Sequence, residues 1–186
     1  MPTSQSFTTT YAGRAIVLTT QCWLAPAFDP SSAADAPELH QFNAIWDTGA
    51  TNTSITQDVV DRLGLVPTGM VEVHGAHGSA RVPTYLVNVA LPNKVNFVGL
   101  KVSQVVLTPG VDILIGMDII GSGDFAVSMK DGVTIMSYRH PCSKSIDFVA
   151  EHASDQFKES TRALIRDRPE SAKNGRKNAK RKGKRR

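Results

Sequence analysis

Apolar and polar positions alternate in short bursts along most of this chain, and the bursts are separated by turn residues. Ala15 to Leu24 is dense in β-branched and large apolar residues and stops at Pro26, which predicts a strand. Asp29 to Pro37 has the Pro, Ser and Asp content of an exposed loop. The run Phe42 to Trp46 reads as a buried strand that ends in a carboxylate, Asp47. Thr53 to Ile55 continues as a short strand, and Thr56 can cap a helix over Gln57 to Leu63. Asp58 lies in its first turn, Gly64 just past its end, and Val59, Val60 and Leu63 form its apolar stripe. Further strands are expected at Met70 to His74, Ala80 to Val89, Val95 to Gln104, Val105 to Leu107 and Ile113 to Ile115. Pro67, Gly75, Gly78, Pro92-Asn93 and Pro109-Gly110 are the spacers. Phe125 to Met129 and Val133 to Met136 flank Lys130-Asp131-Gly132, a hairpin turn signal. The expected fold class is all-β, a sandwich or barrel.

The pattern changes after Pro141. Ile146, Val149, Ala150, Ala153, Phe157, Leu164 and Ile165 recur at helical spacing among charges, predicting an amphipathic helix that ends before Pro169. The expected organisation is a flexible stretch over 1–10, a β domain over 11–141, the helical segment over 142–169 and a disordered tail over 170–186.

Charge sharpens this division. Nine of the 21 Lys and Arg lie between Lys173 and Arg186, where there is no acid. The remainder holds 12 basic against 17 acidic residues, a balance of −5 hidden by the formal +4. By charge alone the tail would hold a polyanion such as nucleic acid; no interleaved aromatic suggests base recognition. No apolar run approaches the roughly 18 residues of a membrane span, and Met1 to Thr10 has neither a basic start nor an apolar signal segment. Cys22 and Cys142 are too few for a disulfide framework, so a reducing, cytoplasmic setting is expected.

Chemistry concentrates at Asp47. Thr48, Gly49 and Ala50 follow it with little bulk, so the backbone can turn sharply and present the acid at a strand end. Burying an unpaired carboxylate is costly, so such a placement needs a chemical reason. Downstream come a glycine-rich segment, His74-Gly75-Ala76-His77-Gly78, and an apolar run closing on a glycine, Ile113-Leu114-Ile115-Gly116-Met117-Asp118. His74 and His77 lack the further ligands a metal site would need, and no metal or cofactor is expected.

These three elements, in this order, resemble the retropepsin-like aspartic proteases, and the resemblance runs over about Phe42 to Met136. It implies an acid-protease barrel with a short helix after the active-site loop, to which this chain adds its C-terminal helix. It also implies endopeptidase activity on polypeptides, with Asp47 catalytic and Thr48, Gly49 and Ala50 supporting its loop. His74, Gly75, Ala76, His77 and Gly78 would form a flap, and Ile115 and Gly116 would pack beside the active-site loop. The reaction needs two carboxylates sharing one proton, the worked case for coupled acids. No second Asp-Thr-Gly or Asp-Ser-Gly occurs; Asp118 and Asp124 lack the following residues, so one chain is half a site. A twofold homodimer supplies the other half.

The chain departs from the retroviral pattern and looks closer to cellular and bacterial members. Trp46 is bulkier than the usual small aliphatic residue, and Gly116-Met117-Asp118 lacks the retroviral arginine. The added C-terminal segment leaves the mode of dimerisation open. Two other readings stand beside the peptidase: a non-cleaving peptide-binding or scaffolding protein of the same fold, and a nucleic-acid-associated protein led by its tail.

Overall fold

The computed structural model describes residues 4–31, 36–75, 78–92 and 94–166. The chain divides into two compact units, Met1–Lys144 and Ser145–Arg186. In chain order the first unit holds β1 (Gln5–Thr10), β2 (Thr19–Pro26), β3 (His40–Trp46), β4 (Ser54–Ile55), α1 (Gln57–Leu63), β5 (Gly69–Gly75) and β6 (Gly78–Ala90). It continues with β7 (Asn96–Gln104), β8 (Ile113–Ile115), α2 (Met117–Ile120), β9 (Asp124–Lys130) and β10 (Val133–His140). The fold is all-β with short helices.

Two sheets result. The larger runs β2-β3-β8-β4-β7-β6-β5, and β2 also pairs with β6, so the pairing passes round six strands and returns to its start. Most pairs are antiparallel, but β3 runs parallel to β8 and β4 parallel to β7. Along β3 the inward positions Phe42, Ala44 and Trp46 are buried, which is the period of two expected of a half-buried strand. Cys22, Leu24, Ile55, Val87, Val89, Ile113, Ile115 and Ile119 fill the core around them.

The smaller sheet runs β1-β10-β9. Its hairpin turns at Asp131 and Gly132, both at positive φ (55° and 76°), the geometry that suits the twist of paired strands. One face carries Phe7, Phe125 and Tyr138, and Trp46 is inserted among them. Its indole stacks on Phe125 at 5.5 Å and 7°, and lies 5.2 Å from Tyr138 and 5.9 Å from Phe7. The buried indole N–H donates to Thr20 Oγ1 at 2.9 Å, so the large side chain leaves no polar atom wasted.

Three elements differ from the sequence expectation. The Ser/Thr-rich start forms β1 over Gln5–Thr10, because its β-branched residues pair along β10, from Gln5 opposite His140 to Thr10 opposite Ile135. The strand expected from Ala15 begins only at Thr19. Before it, Ile16 is 93% exposed, and Tyr11 folds the connecting loop back by both donating to and accepting from the Thr19 backbone at 2.9 Å. Val105 to Leu107 is not a strand: Val105 N–H donates to Ile55 at 2.9 Å, but Val106 is 95% exposed and the ladder stops.

Helix α1 keeps its expected bounds. Gly64 is left-handed (φ 58°), and the Leu65 N–H reaches back to the Val60 carbonyl at 3.0 Å, closing the last turn. Thr56 stands at the N-cap, though its side chain makes no capping bond. In the second unit, α3 covers Phe148–Arg166. It starts there because Asp147 Oδ1 accepts from the Val149 and Ala150 N–H groups at 2.9 and 3.0 Å. The basic tail, like Ala76 and His77, lies outside the described residues.

Candidate active site

Strand β3 of the larger sheet leads directly into Asp47. Its last residue, Trp46, is tied to the Leu18 carbonyl at 3.0 Å, and the Asp47 N–H donates to the Ile115 carbonyl at 2.9 Å. The chain then turns: the Ala50 N–H returns to the Asp47 carbonyl at 3.2 Å, and the Gly49 N–H donates to Asp47 Oδ1 at 2.8 Å. The carboxylate is thereby fixed from both backbone and side chain while remaining half-buried. Thr48, at the apex of the turn, is exposed.

The loop rests on the segment after β8. A side chain at Gly116 would bring its Cβ within 2.5 Å of the Asn52 carbonyl carbon, a distance no real Cβ tolerates, so only glycine lets the two backbones cross here. Ile115, buried, precedes it. The Met117 and Asp118 N–H groups donate to the Ala50 and Thr51 carbonyls at 2.8 and 3.2 Å.

Asp118 is the tie that residue spacing did not reveal. Its carboxylate accepts from the Thr53 N–H at 2.9 Å and the Thr53 hydroxyl at 2.7 Å, and that hydroxyl accepts from the Gly116 N–H at 3.2 Å. Asp118, which lacks the following residues of a second catalytic motif, is therefore a brace for the loop. The signal available in sequence was its position two residues beyond Gly116.

A cleft of about 950 Å³ opens over this loop. Asp47, Gly49 and Ala50 line it on one side, and Val71, Val73 and His74 of β5 on the other. Strands β5 and β6 form a long hairpin whose last described pair is Gly75 opposite Gly78, so His74, Gly75 and Gly78 of the glycine-rich segment lie at its end. His74 Nδ1 is 2.6 Å from Ser79 Oγ across that hairpin. The structure thus brings together Asp47, Gly49, Ala50 and His74 at one cleft, with Ile115 and Gly116 directly behind the loop. Among the described residues no cluster of His, Cys, Asp or Glu is arranged to hold a metal ion.

The family model described as "gag-polyprotein putative aspartyl protease" matches residues 38–122, from just before β3 to just after α2. Over residues 38–122, a little under half of its length, the chain is thus similar to retropepsin-like aspartic proteases. No curated protein matches the chain. Similar solved structures include a retropepsin-like aspartic protease from Rickettsia conorii, at 12% identity and TM-score 0.45, covering 74% of this chain and 95% of that one. EIAV protease complexed with an inhibitor is similar at 18% identity and TM-score 0.39, covering 56% and 86%. Simian foamy virus (mac) protease is similar at 15% identity and TM-score 0.36, covering 56% and 92%. The matched segment contains the whole Asp47 loop, its brace and strands β5 and β6, and leaves β1, β2, β9 and β10 outside. None of the described helices is long and apolar enough to cross a membrane.

Proposed function

We propose that the chain is an aspartic endopeptidase that hydrolyses peptide bonds as a homodimer, each subunit contributing Asp47. The observation that carries this reading is one Asp-Thr-Gly carboxylate, rigidly held, facing a cleft bounded by a glycine-tipped hairpin. One carboxylate is half of the machinery. The reaction needs an ionised group to take a proton from the attacking water and a protonated one to donate to the carbonyl oxygen, with the roles reversed for the leaving amine. A twofold axis beside the turn supplies the second Asp47, and the exposed Thr48 is where the two loops would brace one another. Because β5 is an edge strand, its outer backbone groups are available to an extended polypeptide. The hairpin would close over the substrate and exclude water. Water and two carboxylates suffice; no cofactor enters.

The test is Asp47→Asn. Hydrolysis of a mixed peptide pool should fall by at least about a thousandfold, the scale of losing general acid–base catalysis, while the dimer persists because the change is nearly isosteric. Mixed with wild-type chains, the variant should depress activity faster than the wild-type fraction falls, since each heterodimer has a broken pair. Activity should follow a bell-shaped pH profile, because a pair with two protons lacks the base and a pair with none lacks the acid. Persistent hydrolysis by Asp47→Asn, or full activity of a monomer at high dilution, would overturn this reading; binding of peptides without cleavage would favour a binding protein of the same fold.

A further inference from the structure

The cleft has an unusual floor. Across the larger sheet, Gly69 of β5 stands opposite Thr84 of β6, Thr84 opposite Ser103 of β7, Ser103 beside Ser54 of β4, and Ser54 opposite Leu114 of β8. Residues paired directly across strands share a face, so this register lines up three hydroxyl side chains in one row. All three line the cleft that contains Asp47, as does Leu114 at the end of the row. Ser54 and Ser103 are each 9% exposed, and their hydroxyls lie 2.8 Å apart. One hydroxyl hydrogen serves that contact, leaving the pair a further donor.

Thr84 is different. It is 1% exposed, and its hydroxyl has no hydrogen-bond partner among the described residues. A buried hydroxyl left unpaired costs free energy, and an apolar residue of the same shape would remove that cost. Beside it on β5 is Gly69, where an added Cβ would lie 3.4 Å from the hydroxyl. The deepest hydroxyl of the row therefore has as its cross-strand neighbour on β5 a position with no side chain to fill the space beside it. Apart from Asp47, the charged residues of the cleft, Glu72 and Lys101, occupy exposed positions and are not members of the row.

We propose that Ser54, Ser103 and Thr84 form a specificity subsite for an uncharged hydrogen-bonding side chain, a hydroxyl or a carboxamide, on the bound polypeptide. This rests on the peptidase reading only for the identity of the ligand as a polypeptide. A site built of hydroxyls rejects the apolar isostere, because the isostere leaves buried donors unpaired; it rejects a charge because nothing in the row neutralises one. The free donors of Thr84 and of the serine pair match the acceptor oxygen of Asn, Gln, Ser or Thr, and the row's lone pairs match their N–H or O–H groups.

The experiment uses the full-length chain and a pool of peptides differing only by Thr/Val and Asn/Leu exchanges at successive positions. Cleavage products of the wild type should show one position near the scissile bond where Thr and Asn exceed Val and Leu by about tenfold, the worth of one or two hydrogen bonds. Thr84→Val should erase most of that preference, and Thr84→Ser, which keeps the hydroxyl, should restore it. Retention of the same pool by Asp47→Asn protein gives a second readout that needs no hydrolysis. If the wild type cleaves nothing while retention still shows the polar preference, the peptidase reading falls and the subsite stands. If peptides are cleaved or retained without that preference, or if Thr84→Val leaves it unchanged, the subsite is overturned. If nothing is cleaved or retained, both are.

Discussion

The Asp47 cleft and the terminal sheet of β1, β9 and β10 are held by different forces, although they meet at adjacent residues. Around Asp47 the ties are directional: backbone donors at 2.8 to 3.2 Å, a carboxylate on Thr53, and two backbones crossing at a glycine. Under Trp46 they are four aromatic rings with centroids 5.2 to 6.1 Å apart. Hydrogen bonds are worth little each but fix geometry closely; aromatic burial supplies cohesion with looser geometry. The division teaches that position and stability are assigned to separate regions, and that Trp46-Asp47 is the joint between them. It also follows the family match, which takes in the cleft and ends at residue 122, before β9 and β10.

The largest effect is expected from breaking that joint. Trp46→Ala removes a buried indole from between Phe7, Phe125 and Tyr138 and should cost about 3–5 kcal/mol by denaturant unfolding. If the two regions were independent, activity per folded molecule would not change. The joint predicts that it falls too, because Asp47 is the residue that directly follows Trp46 at the end of β3. Trp46→Phe should recover most of the stability but leave Thr20 without its indole donor. Unchanged specific activity in folded Trp46→Ala would mean that the directional ties alone hold the carboxylate.

Asp118→Ala attacks the other side of the comparison. It removes the acceptor for the Thr53 N–H and hydroxyl, and should cost about 1.5–3 kcal/mol, the range for hydrogen bonds to a charged group. The expected signature is a fall in kcat larger than any rise in KM, since the loop that loses its brace carries Asp47 and not the far wall of the cleft. Equal loss of stability with full kcat would make Asp118 a residue of the fold only.

Much of this was legible in sequence where the cause is local. The run Phe42 to Trp46, the turn-permitting residues after Asp47 and the cap glycine of α1 each act within a few residues, and their elements appear with nearly the expected bounds. What could not be read depends on partners far along the chain. Strand β1 looked featureless because its Ser and Thr residues show no apolar alternation; what makes it a strand is β10, whose Arg139 stands opposite Ser6. The brace joins Thr53 to Asp118, and the hydroxyl row joins Ser54, Thr84 and Ser103, none of which share a periodic pattern. Trp46 stood out as bulky, but the sheet that accommodates it was only half visible.

The smallest expected effect tests whether the terminal sheet has a directional tie of its own. At its edge Asp124 accepts from Arg139 Nε at 2.7 Å and also from Arg139 Nη2, from Cys142 Sγ at 3.0 Å, and from the Ser143 and Lys144 N–H groups at 3.1 Å. This fastens the segment after Pro141 back onto β9. The Cys142 hydrogen bond first, then that of Arg139, hold the carboxyl well below the usual carboxylate range. A depressed acid contributes stability above its unfolded pKa of about 3.9, and that contribution disappears only as pH falls through the lower folded value. The difference in Tm between wild type and Asp124→Asn should therefore be small, constant from neutral pH down to about pH 4, and shrinking below it. The same contact acts in reverse on the thiol: donating to Asp124 raises the pKa of Cys142, so this exposed cysteine should alkylate slowly at neutral pH. Burial pushes Cys22 up to about 12, so labelling of the native protein reads Cys142 alone. Asp124→Asn should speed that labelling several-fold, on the order expected when a thiolate is freed from a neighbouring charge. Rapid alkylation of wild-type Cys142, or a rate indifferent to Asp124, would mean that the aromatic cluster holds this sheet without a polar clasp.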